Sequence, residues 1–171
     1  NVDPYPLDPL DGKNDTNFSV IIVDNKLYIV GYSGHNPEII IPDSIAGYDV
    51  CGIKSLNSNV EKLYIGDNIT SIDSSALENV KEIIVSENNT NFLIQNGVLY
   101  NYNKSTLIRC LADRSEEVIV PGSVRKIEAK AFSNCNFANK VVIPYTVTSI
   151  DSTAFSDCKN TVIHCYNNSA A

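Results

Sequence analysis

The stretch VVIPYTVTSIDSTAFSDC, residues 141–158, repeats VIVPGSVRKIEAKAFSNC, residues 118–135, at a constant offset of 23 positions. Pro121 maps on Pro144, Val124 on Val147, Ile127 on Ile150, Ala131 on Ala154, Phe132 on Phe155 and Cys135 on Cys158. An earlier copy, LYIGDNITSIDSSALENV at 63–80, keeps the same internal distances, with Gly66 in the proline place and Leu77 in the phenylalanine place. A degraded copy begins at IIIP, 39–42. A unit of roughly 23 residues is too short to bury its own apolar face, so neighbouring units must stack and share a core.

Each copy opens on an alternating run. Leu63 and Ile65 point one way and Tyr64 the other, as do Val118 and Val120 against Ile119, and Val141 and Ile143 against Val142. A period of two predicts a strand. Pro121 and Pro144 cannot donate to a ladder, so they end the strand and turn a corner. The second run, 124–127 or 147–150, has its apolar pair three apart and fits either a kinked strand or an extended corner. AKAFSNC and STAFSDC then predict a helical turn or short helix. From it Phe132 and Phe155 would plug the core, each contributing about 1.5 to 3 kcal/mol on burial.

Around these copies the chain divides into four parts, the third of which carries an insertion. Residues 1–17 hold three prolines and, between positions 3 and 17, six Asp or Asn residues without apolar periodicity, which predicts a flexible lead-in. FSVIIVDNKLYIVGY, 18–32, places two β-rich runs about Asp24-Asn25-Lys26, so 18–37 is expected to form a hairpin capping the open end of the stack. Repeats are assigned to 38–165 and a tail to 166–171. The period is interrupted at about 88–112. There Asn96-Gly97 between apolar runs signals a hairpin, and a second turn at 101–104 makes a three-stranded meander.

With 171 residues and 43% hydrophobic content the chain suits one domain with a substantial core. A net charge of -7, with no basic run longer than Arg125-Lys126, excludes nucleic acid and an anionic membrane surface as partners. No stretch approaches the roughly 18 apolar residues of a membrane-crossing helix, so no membrane insertion by this segment is expected. The sequence starts at Asn1 rather than Met, and a signal or anchor is expected outside it. A monomer is favoured, with an open repeat end as the one route to association. Five cysteines, an odd number, weaken a disulfide framework, and Cys135 and Cys158 read as small buried core fillers at equivalent places.

The chemical inventory argues against an enzyme. His35 and His164 have no metalloprotease spacing, and GYSGH at 31–35 lacks the last glycine and the strand-turn-helix setting of a nucleophile elbow. No phosphate-binding glycine loop occurs, no CxxC pair suggests zinc, and the acidic run at 11–15 lacks calcium-loop spacing. The expectation is no cofactor, no metal and no catalytic residue. For binding, the outward residues of the first run are Ile40, Tyr64, Ile84, Ile119 and Val142, an apolar row expected to stack into one column. Such a row suits a strip for a protein partner. Equally, β-branched residues favour strands and neighbouring side chains could cover them.

The pattern I-P-x-x-V-x-x-I-x-x-x-A-F-x-x-C at 143–158, with Val120 before the proline in the preceding copy, resembles the BspA-like leucine-rich repeats of bacterial surface proteins. GVLYNYNKSTLIRC at 97–110 is similar to an interrupting hairpin of that family, and IIIPDSIAGYDVCGI at 39–53 to its first repeat. The resemblance implies a right-handed leucine-rich-repeat solenoid, α/β to mainly β, of short strands and short helical turns. It further implies a secreted or cell-surface bacterial protein whose non-catalytic module adheres to host extracellular matrix or other surface proteins, with a glycan as a further class of ligand. A structural spacer or stalk presenting another domain is the alternative. The family carries no universal ligand motif, so the resemblance supplies no binding residues.

Overall fold

The computed structural model describes residues 17–56, 60–111, 117–133, 140–158 and 161–166. In chain order the strands are β1 (Phe18–Val23), β2 (Lys26–Tyr32), β3 (Glu38–Ile40), β4 (Ser44–Ile45), β5 (Tyr48–Ile53), β6 (Lys62–Ile65), β7 (Ser71–Ile72) and β8 (Glu82–Val85). They continue with β9 (Phe92–Gln95), β10 (Val98–Asn101), β11 (Thr106–Cys110), β12 (Val118–Ile119), β13 (Lys126–Ile127), β14 (Lys140–Ile143), β15 (Ser149–Ile150) and β16 (Val162–Cys165).

The first runs stack as two parallel three-stranded sheets, β3-β6-β8 and β12-β14-β16. The second runs are short strands, which settles their conformation: β7 pairs in parallel with β5, and β15 with β13. Antiparallel strands widen each of these ladders. The β1–β2 hairpin joins through β2, parallel to β5, and the β9–β10–β11 meander joins through β11, parallel to β13. The result is a β-solenoid of stacked turns with almost no helix.

Local chemistry explains the turns. Asn96 and Gly97 both take positive φ, 51° and 64°, which is the backbone a two-residue hairpin needs and which Asn and Gly accept most readily. Gly52 is required for another reason. A Cβ there would lie 2.8 Å from the Tyr28 ring and 2.9 Å from the Ser71 carbonyl, so β2, β5 and β7 could not close together.

The expected helical turns are the main difference from the sequence reading. Among the described residues helix occurs only as the 3-10 turn Ser74–Leu77. AKAF and STAF instead form successive turns closed by three-residue bonds such as Ala131 N–H to Glu128 O at 3.2 Å and Ala154 N–H to Asp151 O at 3.0 Å. The left-handed residues Lys130 (φ 53°) and Asp157 (φ 60°) prevent these turns from propagating. Phe132 is fully buried and Phe155 half-buried, and their rings stack with centroids 4.8 Å apart. Cys158, half-buried, places its Sγ 2.7 Å from the Phe132 carbonyl. Cys135, the lead-in before residue 17 and the tail beyond Tyr166 lie outside the described residues.

The apolar interior is two clusters rather than one. Leu27, Ile29, Ile53, Leu63, Ile65 and Leu77 belong to the first, and Val120, Val124, Ile127, Phe132, Val141 and Ile143 to the second. The meander divides them. Its Leu99 and Ile108 enter the first cluster while Val98, Tyr100, Leu107 and Cys110 enter the second. Side chains alternate across a strand, so an inserted sheet covered on both faces can end one stack and begin the next. Arg109, 1% exposed, fastens this wall. Its guanidinium donates to the carbonyls of Lys130 and Glu78 and to Ser133 Oγ.

Candidate functional site

The outward face of the first-run sheets is set by register. Ile40 lies opposite Tyr64 and Tyr64 opposite Ile84, while Glu38, Lys62 and Glu82 align two positions earlier. Because side chains two apart share a face, the sheet presents an apolar row beside a charged one. Leu63 and Ile65 point inward and are fully buried, which fixes the register against slippage. Ile40, Tyr64 and Ile84 are half-buried.

The charged row is a cross-strand ladder. Lys62 Nζ stands 3.4 Å from Glu38 Oε1 and 3.5 Å from Glu82 Oε1. The Tyr64 hydroxyl donates to Glu38 Oε1 at 2.6 Å, and the Lys62 ammonium sits 5.2 Å from the Tyr64 ring centroid. The Tyr64 hydrogen bond first, and then the Lys62 cation, hold the Glu38 carboxyl below its ordinary value. Lys62 is held above the usual lysine range, by Tyr64 and then Glu38 and Glu82. Tyr64 thus carries a hydroxyl bond at its tip and a cation against its ring, and stands between two isoleucines.

The second first-run sheet repeats the plan with uneven exposure. Ile119 aligns with Val142, and Val142 with His164. Glu117 and Lys140, again two positions earlier, form an ion pair at 2.6 Å. Ile119 is 66% exposed, but Val142 retains only 7% of its surface. The structure therefore brings Ile40, Tyr64 and Ile84 into one row and places Ile119 and Val142 in another. The single column of five expected from the sequence is corrected to two ladders, because the meander occupies the interval between β8 and β12. The sequence reading also missed the charged row. Its signal was present in the alternating signs of Glu38, Lys62 and Glu82, and of Glu117 and Lys140, at equivalent places in successive units.

Other features carry structural work. Ser33 of the GYSGH segment donates its hydroxyl to Asn17 O at 3.2 Å, tying the hairpin base, and no helix follows it. Asn89 is buried, donates to the Gly66 and Ile69 carbonyls at 2.7 and 3.1 Å, and accepts from the Asn91 and Phe92 amides. Among the described residues no group of three or more His, Cys, Asp or Glu side chains could hold a metal ion, and no helix is long and apolar enough to cross a membrane.

The BspA type leucine rich repeat region matches residues 32–109 and 111–170, in six copies. A leucine-rich repeat protein from Eubacterium ventriosum is 24% identical in sequence, with a TM-score of 0.53, over 77% of this chain and 42% of its own. The pneumococcal vaccine antigen PcpA is 22% identical, with a TM-score of 0.62, over 70% of this chain and 32% of its own. The chain thus spans less than half the length of either, and at these identities the likeness shows the fold alone. No curated protein matches the sequence. Repeated registers, two stacked cores and the family match over most of the chain agree: this chain belongs to the BspA-type leucine-rich repeat family of bacterial surface proteins.

Proposed function

We propose that this chain is a non-catalytic protein-interaction module of a secreted or cell-surface bacterial protein, serving adhesion to host or bacterial surface components. The observation that carries the reading is the in-register row Ile40–Tyr64–Ile84, aligned beside the Glu38–Lys62–Glu82 ladder. An aromatic anchor between branched aliphatics, rimmed by charge, is the composition of a protein-binding patch. Ile119 and Val142 stand side by side in the second ladder and lie outside this proposed face. A protein partner at a matrix or cell surface fits this face better than a glycan, because the row offers aliphatic surface and few free hydrogen-bonding groups. The β1–β2 hairpin, in this reading, caps the first stack, and the right-handed, roughly 23-residue repeat acts as the scaffold that spaces the rows.

The test is a surface-binding screen of the purified chain against fibronectin, fibrinogen, collagens, mucins and a glycan array, with Ile84→Lys alongside. Saturable binding to a protein, lost in the folded variant, supports the module and its face. Absence of binding to every surface would reject the adhesive reading in favour of a spacer.

A further inference from the structure

The first-run ladder is interrupted where the meander stands: β8 closes one parallel sheet and β12 opens the next. Among the described residues β12 has a strand partner on one side only, β14. Val120 N–H donates to Val142 O at 3.0 Å. Alternate residues of a parallel strand direct their amide and carbonyl to opposite sides. The N–H and C=O of Ile119 therefore face away from β14.

They face a groove of about 350 Å³. Gln95 and Asn96, at the β9–β10 turn, line it from the meander, and Glu117, Ile119 and Pro121 from the repeat, with Tyr100 also in the lining. Its charged lining residue is the Glu117 carboxylate, whose ion pair with Lys140 leaves its side chain 42% exposed, on a chain of net charge -7. The groove thus combines a backbone donor and acceptor, an exposed aliphatic side chain and a carboxylate shared with Lys140, on an acidic chain.

We propose that this groove binds an extended, basic and apolar peptide segment of a partner protein. The segment adds as a strand to the β12 edge through Ile119, lays an apolar side chain against the Ile119 side chain and sets a basic side chain near Glu117. Strand addition obtains affinity from main-chain hydrogen bonds and selectivity from alternate side chains, and the acidic field favours a cationic segment. This inference rests on the interaction-module reading, but it uses a different surface from the Ile40–Tyr64–Ile84 row, so the two fail separately.

The probe is a fluorescein-labelled hexapeptide alternating lysine and valine, followed by anisotropy. Its counterpart carries methyl groups on alternate backbone amides and cannot form the strand. Ile119→Pro removes the amide that faces the groove while leaving the β14 side of the ladder intact, a placement proline tolerates. Glu117→Gln and Ile84→Lys complete the set, with circular dichroism reporting the fold of each. The expected result is saturation below about 1 mM, at least about tenfold weaker binding for the methylated peptide and for Ile119→Pro, weaker binding for Glu117→Gln, and unchanged binding for Ile84→Lys. Amide exchange at Ile119 slows when the peptide is present. Lack of saturation, equal binding of the methylated peptide, or undiminished binding by folded Ile119→Pro overturns the proposal. Self-association that blocks the peptide and is lost in Ile119→Pro overturns it in favour of a second copy. Were Ile119→Pro unfolded, the methylated peptide and Glu117→Gln would still decide. Retained peptide binding beside failed surface binding would reject the row and leave the groove standing.

Discussion

Arg109 Nη1 donates to Ser133 Oγ across 2.7 Å, joining the inserted meander to the turn of the repeat that follows it. The same guanidinium reaches back to the Glu78 carbonyl at 3.0 Å, in the preceding repeat, where Glu78 also pairs with Lys130 at 2.8 Å. One buried side chain thus spans both stacks. Arg109→Met keeps most of the apolar volume but strands these acceptors, at about 1 to 3 kcal/mol for each left unsatisfied. Urea unfolding is expected to show a clear fall in midpoint. An unchanged midpoint would mean that the stacks are held together by apolar packing alone.

The Tyr64–Glu38 bond makes a pH prediction. Glu38 titrates below its ordinary value of 4.5 when folded, because the Tyr64 hydroxyl stabilises the carboxylate. Its contribution to stability is therefore present above that ordinary value and is lost as pH falls through the lowered folded value. Tyr64→Phe should return the Glu38 pKa toward 4.5, read by carboxyl chemical shifts in an NMR titration. An unmoved titration would assign the shift to Lys62 instead.

Phe132 and Phe155 occupy equivalent places but unequal surroundings. Phe132 is fully buried, and Phe132→Ala is expected to cost about 3 to 5 kcal/mol. Phe155, half-buried and stacked on one ring face, should lose distinctly less on the same change. Chemical denaturation of both variants checks the order. Equal losses would contradict two differently packed turns.

Asn89→Ala should destabilise although it removes little apolar surface, since the Asn89 amide serves two carbonyls and two backbone amides. A loss of about 2 kcal/mol or more is expected from the stranded groups. Thermal unfolding at the wild-type midpoint would show that water replaces the side chain without penalty.

The sequence made the repeats legible because the constraint is periodic. Val118, Val120, Val141 and Ile143 alternate with outward residues, and Asn96-Gly97 has a backbone preference that acts locally. What it did not disclose depends on neighbours distant along the chain. Arg109 and Asn89 look like surface residues, and only their enclosure between units makes them buried joints. The split of the apolar row followed from which face of β10 and β11 meets which core, and one copy of a repeat contains no such information. The turns after β13 and β15 stayed short of helix because Lys130 and Asp157 adopt left-handed backbone, which aspartate accepts more readily than most residues but which a lysine does not announce.

The most direct test of the interaction reading is a titration of the best protein hit from the binding screen with wild-type chain and with Tyr64→Ala/Ile84→Lys, each with a recorded melting temperature. The account predicts that the double variant remains folded and loses affinity by at least about tenfold, the scale of a central interface anchor. Undiminished affinity in a folded double variant would contradict it and place recognition away from the Ile40–Tyr64–Ile84 row.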